Sequence, residues 1–153
     1  MRILVLSDSH GDYFTMKKAI EAQPTAEVVV FLGDGLHDFE RCASLLKGKR
    51  VYAVKGNNDD GFDYPKNQII SVGGIRIYIT HGQSERVKSD SIGLLRATKE
   101  NECALALYGH THRQGESTGE GVKTFNPGAL QNDEYGIIDI YNGRFLCIGV
   151  RIK

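Results

Sequence analysis

Apolar runs of strand length recur through the first two thirds of the chain: Ile3 to Leu6, Val28 to Leu32, Val51 to Val54, Ile75 to Ile79 and Leu105 to Tyr108. Most are β-branched and bounded by Gly or Asp, as buried strands are. Between them the apolar positions switch to a helical period. Phe39, Cys42, Ala43 and Leu46 fall at i, i+3, i+4 and i+7 and predict a helix behind an Asp38 cap. Met16, Ala19 and Ile20 predict a second behind Asp12, and Ile92 to Asn101 a third whose start is blurred by Gly93. The remaining sequence changes character. Val72-Gly73-Gly74-Ile75 and Tyr141-Asn142-Gly143-Arg144 are two-residue hairpin signals between strand-like flanks, so the C-terminal third is expected to be antiparallel. Together the pattern predicts an α/β layered domain of mixed sheets with helices packed outside them.

Composition narrows the classes. A chain of 153 residues can bury one real core but not two comfortable ones, so residues 1–153 are expected to form a single domain. Lys plus Arg and Asp plus Glu both number 19, so no global field draws the molecule to nucleic acid or an anionic membrane. Any attraction for an anion must be local. The apolar stretch at the N-terminus is too short for a signal-peptide core or a bilayer span, and no later run is longer. Cys42, Cys103 and Cys147 are odd in number, widely spaced and in no CxxC pattern, which argues against disulfides or a thiolate zinc site. The cytoplasm is the expected location.

The candidate chemistry lies where the strands end. Leu6 leads into Ser7-Asp8-Ser9-His10, Leu32 into Gly33-Asp34, and Val54-Lys55 into Gly56-Asn57-Asn58-Asp59. Ile79-Thr80 leads into His81-Gly82, and Leu107-Tyr108 into Gly109-His110-Thr111-His112. Strand carboxyl ends gather on one side of a layered α/β fold, and ligands bind there. Any one of these residues taken singly is better read as a strand or helix cap. Jointly they are not, because uncompensated polar groups gathered on one rim would cost several kcal/mol each. Carboxylate, imidazole and amide oxygen suit Mn, Fe, Zn or Ni rather than Ca alone. Gly33, Gly56, Gly82 and Gly109 beside the candidate ligands would let backbone turn sharply there.

With Asp8-Ser9-His10, Gly33-Asp34, Gly56-Asn57-Asn58-Asp59, His81-Gly82 and Gly109-His110-Thr111-His112 in this order, the chain resembles the calcineurin-like metallophosphoesterase superfamily, and more narrowly its small single-domain phosphodiesterase branch. Asn126-Pro127-Gly128 resembles a further feature of that branch, beneath the site. The resemblance implies an α-β-β-α sandwich and two divalent ions, manganese foremost, with Fe, Zn or Ni as alternatives. One ion would take Asp8, His10 and His112, the other Asn57, His81 and His110, and Asp34 would bridge them. Such pairs lie roughly 3.5–4 Å apart and activate a shared water to attack phosphorus in line. The wider superfamily has His where this chain has Asn58, which can hydrogen-bond a phosphoryl oxygen but cannot deliver a proton at neutral pH. A preference for diesters or activated esters over alkyl monoesters is therefore expected. Asp59, without that His to orient, is expected to fix its loop through backbone N–H groups.

Other residues carry weaker signals. His37 is expected to be an exposed histidine rather than a ligand, and Arg86, Lys88 and Arg113 solvated surface rather than phosphate clamps, although Arg113 adjoins a ligand. Tyr13 and Phe14 could stack on an aromatic leaving group or simply pack. The expected substrate is a small phosphate ester, such as a nucleotide or cyclic nucleotide. Nucleic acid is disfavoured because no basic stripe is interleaved with aromatics. The alternative from another class is a non-catalytic protein-interaction scaffold resembling a retromer subunit of the same fold, which need retain no ligands. Apolar edge strands leave pairing into a homo-oligomer open.

Overall fold

The computed structural model describes residues 1–152. Ten strands form two five-stranded mixed sheets. The first has the order β10-β9-β1-β2-β3, with β1 at Arg2–Leu6, β2 at Val28–Phe31, β3 at Arg50–Ala53, β9 at Glu134–Tyr141 and β10 at Arg144–Arg151. The second has the order β4-β5-β6-β8-β7, with β4 at Asn67–Val72, β5 at Ile75–Thr80, β6 at Leu105–Leu107, β7 at Gly115–Gly119 and β8 at Val122–Asn126. Strands β1, β2 and β3 run parallel, as do β5, β6 and β8. Their carboxyl ends therefore open on one side.

Alternation of side chains explains why these strands read as unbroken apolar runs. Ile3 and Val5 of β1, and Val28 and Val30 of β2, point into a core shared with Ile77, Ile79, Leu105 and Leu107 of the second sheet. Leu4, Leu6, Val29 and Phe31 point the other way, onto the helices. Helix α1 (Tyr13–Ala22) covers that outer face through Met16, Ala19 and Ile20, and Asp12 caps it by accepting from Thr15 N–H. Helix α3 (Ile92–Glu100) covers the second sheet through Leu94, packed with Tyr78, Cys103 and Ala106. The layers are thus helix, sheet, sheet, helix. No helix among the described residues is long and apolar enough to cross a membrane.

Three expectations need correction. The helix expected behind Asp38 is instead α2 (Leu36–Arg41) followed by a separate 3-10 turn (Ala43–Leu46). Asp38 lies inside α2, buried, because its carboxylate accepts from Ser9 Oγ and Gly11 N–H rather than from its own helix. Phe39, Cys42 and Leu46 are buried as expected but Ala43 is exposed, since the break at Cys42 rotates it outward. Nor is the C-terminal third wholly antiparallel: β7–β8 and β9–β10 are hairpins, yet β8 lies parallel to β6. Both predicted tight turns are present, and positive φ at Gly73 and Gly74 (57° and 80°) and at Asn142 and Gly143 (50° and 75°) gives each the twist that strand pairs require.

Candidate metal centre

Four parallel-strand ends deliver their polar residues to one place. Asp8 and His10 follow β1, Asp34 follows β2, His81 follows β5, and His110 and His112 follow β6. Five of these six carry left-handed backbone without being glycine: Asp8, His10, Asp34, His110 and His112 have φ of 57°, 46°, 61°, 71° and 60°. Such conformations are costly for side-chain-bearing residues and persist only where surroundings over-determine them.

The surroundings do so through dense lacing. Asp8 N–H donates to Gly33 C=O, His10 N–H to Asp34 C=O, and Gly109 N–H to His81 C=O. The Asp59 carboxylate, buried, accepts from four backbone amides: Oδ1 from Gly35 and Leu36, Oδ2 from Asp34 and Gly56, at 2.7–3.0 Å. Asn126, fully buried, donates to Gly109 C=O and Thr111 Oγ1 and accepts from Gly128 N–H, buttressing the His110–His112 loop from below. Close approach leaves no room for side chains at Gly56 and Gly109, whose added Cβ atoms would collide with Asp34 Oδ1 and Ser7 Oγ respectively.

Two groups of donors result, one of Asp8, His10 and His112, the other of Asp34, His81 and His110. In the first, Asp8 Oδ1 lies 3.3 Å from His10 Nε2 and 3.2 Å from His112 Nε2, and the two nitrogens are 3.2 Å apart. A single proton can satisfy only one edge of that triangle. A cation satisfies all three corners, and edges of this length put the centre about 1.9 Å from each donor, close to the ~2.0–2.2 Å of metal bonds to imidazole and carboxylate. Asp8 is held in this orientation because its other oxygen accepts from Ser7 Oγ (2.5 Å) and His110 N–H (3.0 Å). His10 and His112 sit at the rim, their side chains 25% and 31% exposed.

In the second group, His81 Nδ1 donates to Leu32 C=O at 2.7 Å, so in the neutral ring Nε2 presents its lone pair. That lone pair faces Asp34 Oδ2 at 3.3 Å and His110 Nδ1 at 3.2 Å. Asp34 Oδ2 also lies 3.7 Å from His10 Nε2, between the two groups. The donor chemistry and spacing therefore fit a cation in each group. Without one, burial is the strongest influence on Asp34 and opposes its ionisation. The hydrogen bond and charge of His81 and the two N–H donors of Asn58 outweigh it and hold the carboxyl well below the usual range. Burial likewise disfavours charge on His81, but Asp34 and Asp8 overcome it and raise the imidazole. His110 is lowered by burial, by His81 and by Lys88.

The asparagines fall differently. Asn57 is exposed and lines a cavity of about 240 Å³ beside His81. Asn58 donates to Asp34 twice, from its backbone to Oδ1 (2.8 Å) and from its side chain to Oδ2 (2.9 Å). His37 is exposed on α2 and belongs to neither group. Lys88 and Arg113 share a depression with Tyr108 and Thr111, while Arg86 is exposed away from it. Tyr13 lies under the Arg41 guanidinium at 3.9 Å, and Phe14 is 70% exposed. Sequence reasoning missed Ser7, Asp38 and Gln131. Asp38 fastens the Asp8–Gly11 loop, and the Gln131 amide lies 3.1 Å from His112 Nδ1. Of these, Ser7 adjoins Asp8 in sequence, whereas nothing in the sequence ties Gln131 to His112.

Residues 1–142 match the calcineurin-like phosphoesterase superfamily domain. The chain is 26% identical over 151 residues to a probable metallophosphoesterase, YsnB, of Bacillus subtilis, covering 93% of this chain and 86% of the relative. It is 29% identical over 171 residues to the phosphodiesterase YfcE of Escherichia coli K12, covering 91% and 88%. Among solved structures, a predicted phosphoesterase from Streptococcus pneumoniae superposes with a TM-score of 0.82 at 25% identity over 98% of this chain and 88% of that one. Zinc-complexed Vps29 from Entamoeba histolytica superposes with a TM-score of 0.76 over 99% of both chains, and at 18% identity it shares the fold alone.

Proposed function

The chain belongs to the calcineurin-like phosphoesterase superfamily and is a phosphoesterase; on that premise we propose that it is a phosphodiesterase working with two divalent ions. The single observation that carries the reading is the convergence of two donor groups on Asp34, whose Oδ2 faces His81 at 3.3 Å and His10 at 3.7 Å. Asp8, His10 and His112 would hold one ion, Asn57, His81 and His110 the second, and Asp34 both. When bound, the pair supplies Lewis-acid stabilisation of the phosphoryl oxygens and a water ionised at neutral pH.

The chain's own residues prepare and limit that chemistry. Leu32 C=O fixes the His81 tautomer, and Ser7 with the His110 amide turns Asp8 so that one oxygen stays free. Asp59 holds the Asp34 and Gly56 loops without reaching the reacting atoms. Asn58 holds Asp34 with its backbone N–H and one side-chain N–H, which leaves one side-chain N–H at the rim to offer a phosphoryl oxygen, but it has no proton to give a departing alkoxide. Esters with good leaving groups, and diesters ahead of alkyl monoesters, are the preferred substrates. Residues 1–153 act as one cytoplasmic domain, manganese is the favoured ion, and the substrate is a small phosphate ester such as a nucleotide. A pure scaffold would need neither donor group, and their completeness is what favours catalysis.

The test is hydrolysis of bis-p-nitrophenyl phosphate against p-nitrophenyl phosphate by chelator-stripped protein with Mn, Ni, Zn or Mg restored. Metal-dependent turnover favouring the diester is expected. A folded protein inert with every metal would overturn the reading in favour of a scaffold.

A further inference from the structure

The cavity beside the second donor group has a chemistry of its own. Asn57 and His81 line it together with Lys55, Lys66 and Asp60, and the polar residues Gln83 and Ser84 complete the lining. The two lysines stand at opposite ends of the 56–65 loop, whose neck is closed by Lys55 N–H donating to Pro65 C=O at 2.8 Å. Lys55 Nζ is steadied by Phe62 C=O at 3.1 Å, and Thr80 Oγ1 donates to Lys66 C=O, which ties that end to β5. Both ammonium-bearing residues are therefore mounted on anchored backbone beside a candidate metal ligand.

Their charge is uncommitted. The ion pairs among the described residues use Arg2, Lys123, Arg151 and the site histidines, and neither Lys55 nor Lys66 takes part. Asp60 is the single carboxylate on the cavity wall, so one positive charge is left over. In a chain of zero formal net charge this is a local excess and not the edge of a basic surface. A volume of about 240 Å³ is below the roughly 300 Å³ at which ligand pockets usually begin, enough for a phosphate and the sugar that carries it, with a base left outside the cavity.

We propose that this cavity is a subsite for a second anionic group, so that the preferred substrates are phosphodiesters with one ester arm bearing a further phosphate, which Lys66 and Lys55 bind. The inference rests on the phosphodiesterase reading and adds the substrate class. Lys66 supplies the mobile contact, because Lys55 is already partly engaged by Phe62 C=O. Arg at position 66 keeps the charge and Gln removes it.

The experiment compares kcat/KM, with manganese-loaded protein, for the p-nitrophenyl ester of thymidine 5′-phosphate and for the same ester carrying an added 3′-phosphate. The wild type should favour the 3′-phosphorylated ester by about tenfold, or ~1.4 kcal/mol. Lys66→Gln should bring the ratio towards one and Lys66→Arg should restore most of it. Melting curves establish that both variants fold. A wild-type ratio near one, or a ratio indifferent to Lys66→Gln, overturns the subsite. Calorimetric binding of thymidine 3′,5′-bisphosphate against thymidine 5′-phosphate provides a readout that needs no turnover. Lys66-dependent selectivity in protein that hydrolyses neither ester would support the subsite while removing the catalytic reading, and equal binding would remove the subsite.

Discussion

Asp59 offers the sharpest test of how the site is held. Each of its oxygens accepts two backbone N–H groups, and three of the four bonds are buried. In Asp59→Ala those donors lose their acceptors, and at about 1 kcal/mol apiece, the low end for a stranded donor, the loss is about 4 kcal/mol. For a chain of this length each kcal/mol moves Tm by ~2–4 °C, so a fall of about 8–16 °C is expected. Asp59→Asn discriminates further. Whichever oxygen becomes NH2 must then face two N–H donors, so the isosteric change should be nearly as damaging as removal. Thermal melts and urea titrations of chelated protein measure the effect without metal. Calorimetric metal titration should then show weakened uptake, since Gly35 and Leu36 extend the Asp34 turn and Gly56 packs against the Asp34 carboxylate. If Asp59→Asn melts within about 2 °C of the wild type, the anchoring argument is wrong.

Replacing Asn58 by His should raise hydrolysis of esters with poor leaving groups by at least about tenfold relative to nitrophenyl esters, since general-acid assistance is worth ~10²–10⁴-fold; an unchanged dependence on leaving-group basicity would refute this. Chelation should lower Tm, because a ligand at a hundred times its Kd stabilises the folded state by ~2.7 kcal/mol; coincident melts with and without chelator would contradict metal binding. In metal-free protein, NMR titration should find His81 ionising above the ordinary histidine value and His110 below it. The raised His81 contributes stability that is complete below about pH 6.5 and fades as pH rises through its folded value, and a reversed order of the two rings would show that Asp34 is not its partner.

Legibility in the sequence followed burial. Strands β1, β2 and β6 were readable because both faces are covered, which forces continuous apolar runs, and their ends were readable because an Asp or His follows within three residues. Strand β7, Gly-Glu-Ser-Thr-Gly, is an almost wholly exposed edge with no apolar position, so no period could announce it. Asp38 looked like a cap because local spacing cannot show that its acceptor capacity is spent on Ser9 and Gly11, 29 and 27 residues away. Gln131 reaches His112 because the 3-10 turn Leu130–Asn132 docks on the end of β1, where Leu130 N–H donates to Ser7 C=O.

The left-handed backbone was illegible too, and it says most about what the site is for. Geometry alone would put glycine at residues 8, 10, 34, 110 and 112, yet the chain carries carboxylate or imidazole at each. At about 1 kcal/mol per residue, that choice is a sizeable fraction of the ~5–15 kcal/mol by which a domain is stable. Turn formation does not require these side chains and core packing does not use His10 or His112, which lie at the rim. The strain is met by the Asp59, Asp38 and Asn126 anchors, which serve the loops and not the chemistry. A fold that commits three buried polar residues to holding five strained ones keeps carboxylate and imidazole where glycine would turn more easily, and a bound cation would add to the compensation that those anchors already supply.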